Sequence, residues 1–150
     1  MKTMVEIFNE TMSKGWNNIL VFEDDAMWKD EDVNGTMENV VKQLPSQYIM
    51  AFLGCQATNG FAGWHSHNLL SVVNAYSTHA VAYSRKGIEL ILSSGFDFPI
   101  DNFYCQHIQM KFGGTYAVHP FLCTQRPGFS DIGKSEISWQ PFLEVRHEQK

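Results

Sequence analysis

"NNILVFEDDAMW", residues 17–28, sets four apolar residues, Ile19, Leu20, Val21 and Phe22, directly before three carboxylates, Glu23, Asp24 and Asp25. A short continuous apolar run is the pattern of a strand covered on both faces; a half-buried strand would alternate. The acids that end it repel one another, so something must relieve like charges at the mouth of a core strand: water around a turn, or a cation. Side chains alternate along extended backbone, which puts Glu23 and Asp25 on one side and Asp24 on the other.

Working outward, the rest of the chain alternates helix and strand signals. Met1, Met4, Val5, Phe8 and Met12 recur at helical spacing, and Gly15 stops that helix. Met37, Val40, Val41 and Leu44 mark a second helix, closed by Pro45. "YIMAFLG" (48–54) reads as another buried strand, and "ATNGFAGWHSHN" (57–68) as a loop by its Gly, Asn, Ser and His content. Residues 69–84 read as one or two strands. Ser84 then caps a helix carrying Ile88, Ile91 and Leu92 and ending at Gly95. Pro99 suits the first turn of a further helix with Ile100, Phe103, Tyr104 and Ile108 inward. Gly113 and Gly114 break it before "TYAVH" (115–119), the last strand. The expectation is a single α/β domain over residues 1–150, a mostly parallel sheet flanked by helices. Such sheets bind ligands beyond the carboxyl ends of their strands, and Glu23, Asp24 and Asp25 fall at one of these ends.

Bulk properties narrow the field. A chain of 150 residues supports one real core. With 44% hydrophobic and 18% charged residues it is a folding sequence, not a disordered one. A net charge of −5 gives no electrostatic footprint for nucleic acid or an anionic membrane. Cys55, Cys105 and Cys123 are odd in number and lack CxxC spacing, which suits reduced thiols. No apolar run is long enough for a transmembrane segment, and the N-terminus has no signal-peptide core, so a cytoplasmic location is expected.

Two carboxylates on one side of a strand end can bracket a hard divalent cation, which takes oxygen ligands. Such a cation also neutralises a diphosphate leaving group. A solvated acidic turn accounts for the same residues equally well, because residues 24–32 stay acidic past the strand.

"ILVFEDDA" resembles the strand-plus-EDD segment of glycosyltransferase family 25, the lipooligosaccharide and collagen galactosyltransferase-like group. Three further segments are similar to the family in the same order. They are "STHAVAYSRKGIELIL" (77–92), with a small-residue strand and a Ser-Arg-x-Gly helix start, "FPID" (98–101), and "HPFLCTQRPGFSDIGKS" (119–135). The resemblance implies a GT-A-like fold and transfer of a hexose from a nucleotide-sugar donor, a UDP-sugar by preference, to a glycan or other hydroxyl acceptor. It also implies Mn²⁺ or Mg²⁺ as cofactor. By position it gives Asp25 and Glu23 to the metal, with Glu23 and Asp24 also at the donor and Asp101 at the acceptor side as the base. His119 is a further metal or phosphate contact by the same resemblance, and Asp131 after Ser130 belongs to the closing motif. Family members carry a strand–helix–strand region before the EDD strand. The resemblance therefore covers roughly the C-terminal two thirds of a GT-A-type fold. It implies truncation at the N-terminus, with a homo-oligomer or a partner supplying the nucleotide-binding half.

Other residues carry weaker signals. Arg126, before Pro127 and Gly128, can hold a diphosphate oxygen through two hydrogen bonds. His65 and His67 share a face if extended, but an ordinary loop is the favoured reading. Trp64 and Phe61 suit either stacking on a sugar ring or covering the core. His79 reads as a core histidine, and His107 as packed. Arg85 and Lys86 open a helix, where the dipole disfavours cations; a phosphate or a solvated face explains them. Two other functions stay open: a metal-dependent phosphoesterase using the same acids, and a non-catalytic carbohydrate-binding or assembly module.

Overall fold

The computed structural model describes residues 2–29, 32–57, 61–95, 99–130 and 135–137. Helix α1 (Lys2–Ser13) ends where Gly15 turns the chain with φ +69°. Strand β1 (Asn18–Phe22) follows, then β2 (Ala26–Trp28) and α2 (Val33–Gln43). The Asp32 side chain caps α2 by accepting from Gly35 N. Next come β3 (Met50–Phe52), β4 (Phe61–Ser66), β5 (Leu69–Val72) and β6 (Ala80–Ser84). Helices α3 (Arg85–Ser93) and α4 (Ile100–Phe103) lead into a π-helical stretch, Tyr104–Gln109, and α5 (Met110–Phe112). Strands β7 (Thr115–Val118), β8 (Cys123–Gln125), β9 (Gly128–Ser130) and β10 (Ser135–Ile137) complete the described chain.

The main sheet has six strands in the order β1-β6-β3-β7-β5-β4. Only β3 and β7 pair in parallel; the other four pairings are antiparallel. The mostly parallel sheet expected from the alternation is therefore a mixed, mostly antiparallel one. The cause lies in two segments. Residues 61–66, read as loop, form β4 and a hairpin with β5. Strand β6 inserts between β1 and β3 and runs against both. Since β1 and β3 both oppose β6, and β7 follows β3, the carboxyl ends of β1, β3 and β7 still share one edge of the sheet. Two further short ladders, β2–β8 and β9–β10, lie outside it.

Alternation along the strands builds two cores. Phe52, Leu70, Val81 and Ala117 join Phe8 of α1, Ile88 and Ile91 of α3, and Phe103 and Tyr104 on one face. Leu53, Leu69, Ala80 and Val118 join Val40 of α2 on the other. Strand β1 departs from the expected two-sided burial. It is the sheet edge, with Ile19 and Val21 on the core and Leu20 and Phe22 37% and 44% exposed. Val41, expected inward, is exposed. The Ser-Arg-x-Gly helix start has a structural cause. Ser84 Oγ donates to Tyr48 O and accepts from Gly87 N at 3.0 Å, and a Cβ on Gly87 would lie 2.2 Å from Ile49 O. No helix among the described residues is long and apolar enough to cross a membrane.

A carboxylate cluster at the sheet edge

Glu23, Asp24 and Asp25 do not continue the strand. Ala26 N donates to Glu23 O at 3.1 Å, closing a turn, so this turn rather than strand alternation sets their grouping. Glu23 N donates to His79 O at 2.9 Å, extending the β1–β6 ladder by one bond. Asp25 is tied to a segment 100 residues later by the β2–β8 ladder: Gln125 Nε2 donates to its Oδ2 at 3.1 Å, and Arg126 N donates to its carbonyl at 2.8 Å. Its other oxygen, Oδ1, is buried and accepts no hydrogen bond.

Asp101 reaches the same place from α4. Its Oδ2 accepts from Ser77 N at 3.1 Å, and Ser77 holds φ +69°, a left-handed conformation that costs a non-glycine residue about 1 kcal/mol or more. Its Oδ1 is shielded without a hydrogen bond. Thr78, the next residue, donates its hydroxyl to Glu23 Oε1 at 2.6 Å and stands near enough to Asp101 to lower its pKa as well.

The electrostatics follow from this grouping. Burial raises the Glu23 pKa, and the charges of Asp25, Asp101 and Asp24 raise it further against the Thr78 bond. Glu23 is exposed as a residue, so this desolvation is partial. Burial also raises Asp101, against the bonds from Ser77 and Thr78. The buried Tyr83 and Tyr104 rings pack on each other with centroids 6.0 Å apart, and both phenols, raised by burial, sense Glu23 and Asp101. His79 is fully buried; desolvation lowers its pKa although Cys123 O and Asp25 favour its charged form.

Asp25 and Glu23 offer hard oxygens, and the unpartnered Asp25 Oδ1 fits a cation. No three His, Cys, Asp or Glu side chains converge on one point among the described residues. Two carboxylates alone would leave most of a divalent cation's shell to water or to another ligand.

The other predicted residues scatter. Asp24 is exposed in the turn, and Arg126 is exposed next to Gln125, joined to Asp25 through its backbone. His119 follows β7 at the same sheet edge, but its ring meets Trp64 edge-on at 5.0 Å. Asp131 lies outside the described residues. His65 packs on Tyr116 and His107 stacks on Phe103. Arg85 pairs with Glu89 and Lys86 bonds Gln47, so a phosphate is not needed to explain them. All three cysteines are free and buried, with Cys105 pushed up to about 11 and Cys123 to about 12, which makes them poor nucleophiles. Sequence reasoning missed Ser77, Thr78 and Gln125. The polar "STH" just before an apolar strand was the available signal for the first two; nothing local marks Gln125. Comparison with models of known protein families and with curated proteins returns no match.

Proposed function

We propose that the cluster is the metal and donor-diphosphate end of a glycosyltransferase site of GT-A type. In this reading the chain transfers a hexose from a nucleotide sugar to a hydroxyl acceptor. The observation that carries the proposal is that Ser77 and Thr78 tie Asp101 of α4 to Glu23 at the end of β1, with the buried, unpartnered Asp25 Oδ1 in the adjoining turn. Acids gathered with an unpartnered buried oxygen are costly unless a ligand uses them.

Asp25 and Glu23 would hold Mn²⁺ or Mg²⁺, which neutralises the diphosphate as it leaves. Asp24 and the Arg126 side chain would serve the donor in this reading. Asp101 acts as base: Ser77 N fixes Oδ2, and Oδ1 takes the acceptor hydroxyl proton as that oxygen bonds to the sugar carbon. A raised carboxyl pKa makes it a better proton acceptor at neutral pH.

Titrating Mn²⁺ with and without UDP tests this. Metal affinity that rises with UDP supports the transferase. Metal binding indifferent to UDP supports a phosphoesterase, and binding of neither supports a non-catalytic module.

A further inference from the structure

A second concave site lies on the same sheet edge, away from the acids. It has a volume of about 510 Å³ and is lined by Trp64, Ser66, His67, Asn68, His119 and Pro120. This volume falls within the ~300–1,000 Å³ of small-molecule sites. The β4–β5 hairpin supplies one wall, and the residues following β7 supply the other. Asn68 locks the two together: its N–H₂ donates to His119 O at 3.0 Å, and His119 N donates to Asn68 O at 2.9 Å. Gln43 Nε2 in turn holds Asn68 Oδ1 at 2.9 Å. The walls are thus preformed.

Trp64 is 54% exposed on this site, steadied edge-on by His119. The β4–β5 register shifts on both sides of it, between Phe61 and Gly63 and between Trp64 and Ser66. Gly63 next to it takes φ +137°. Such bulges turn a side chain out of the regular pleat. Ser66 Oγ is buried at the site without a hydrogen bond.

The chemistry of the lining selects the ligand. None of the six residues is Asp, Glu, Lys or Arg. A phosphate or carboxylate would lack a fixed cation, a hard cation would lack a carboxylate, and no three His, Cys, Asp or Glu side chains converge here among the described residues. What remains is a broad aromatic surface beside hydroxyl, imidazole and amide groups. That combination fits a neutral ring with an apolar C–H face and hydroxyls at its rim.

We infer that this site binds a pyranose unit of a neutral glycan, stacked on Trp64. Along the sheet β7 is three strands from β1, so the site stands ~14 Å or more from Glu23 at ~4.8 Å per strand. A monosaccharide cannot span that gap. Taken with the transferase reading, on which this step alone rests, the acceptor is an oligosaccharide. Its distal residue sits on Trp64 while its reacting hydroxyl reaches Asp101.

The test is titration of the ¹⁵N-labelled chain with methyl β-galactopyranoside, methyl β-glucopyranoside and lactose, without metal or nucleotide. At least one should bind saturably with a Kd of ~1–10 mM and shift the Trp64 indole N–H. Trp64→Ala should weaken that binding ~tenfold, and Trp64→Phe by less. Leu20→Lys, on strand β1 at the far side of the sheet, should leave it unchanged. Inorganic phosphate should not compete. Absence of saturable binding, or shifts that avoid the Trp64 indole, overturns the assignment; so does displacement by phosphate. The indole readout on the unmodified chain decides the matter even if Trp64→Ala fails to fold. Sugar binding without UDP-dependent metal binding would sink the transferase reading and leave this site standing; the converse result would sink this site alone.

Discussion

Thr78 Oγ donates to Glu23 Oε1 at 2.6 Å, joining the end of β1 to the segment whose preceding residue, Ser77, holds Asp101. One hydroxyl thereby lowers the pKa of two carboxylates that burial raises. Thr78→Val keeps the shape and removes the proton. Both midpoints should then move upward in carboxyl ¹³C titrations, with Glu23 moving more because it receives the direct bond. Unchanged midpoints would mean the bond does not form in solution.

Asp101→Asn should stabilise the chain at neutral pH. Its folded pKa lies above the ordinary 3.8, so the stability tied to it is present below that value and lost as pH rises through the raised one. The amide retains an acceptor for Ser77 N and removes the buried charge. We expect a gain of about 1 kcal/mol, a Tm rise of ~2–4 °C, above the titration window and no gain at pH ~3. A variant less stable than the parent at pH 7 would contradict the assigned burial effect.

Gly87→Ala should be severe although Gly87 is far from the acids. Its added methyl would meet the Ile49 carbonyl at 2.2 Å, where backbone must move. A loss of about 2–4 kcal/mol in urea denaturation is expected, where the same change at an exposed helical glycine gains about 0.5–1 kcal/mol.

Self-association should run through β1. Among the described residues its outer edge has no strand partner, and its five residues, NILVF, carry no charge or proline to blunt pairing. Exposed Phe22 packs on exposed Trp28 at 5.3 Å, continuing the apolar surface. Sedimentation at micromolar concentration should show dimers or larger species, and Leu20→Lys should shift them toward monomer. A monomeric parent chain would remove the edge as an association surface.

Much of the secondary structure was legible because it rests on local signals. Gly15, Gly95 and Gly113 all take positive φ where the chain was read to break, and Ser84 caps α3 as its sequence implied. Strand direction was not legible. Buried β3 and edge β1 both read as continuous apolar runs, and pattern alone does not say which neighbour each will have. Strand β4 was hidden because its Gly63, His65 and Ser66 look like loop residues, and its mostly exposed side chains lack a core-facing rhythm. At the site, the acids were visible as a triplet, but their anchoring was not. Gln125 meets Asp25 only because β2 pairs with β8, a contact across 100 residues. His119 enters as a further ligand only through the family resemblance; its ring contact with Trp64 was not legible, because β4 did not read as a strand.

Calorimetric titration of UDP in the presence of Mn²⁺, on the parent chain and on Asp25→Asn, bears most directly on the central claim. The account predicts UDP binding that disappears with EDTA and falls at least ~tenfold in the variant, whose melting temperature is equal or higher because like-charge repulsion is relieved. Equal UDP and Mn²⁺ affinity in the two chains, or no metal-dependent UDP binding in either, would contradict it.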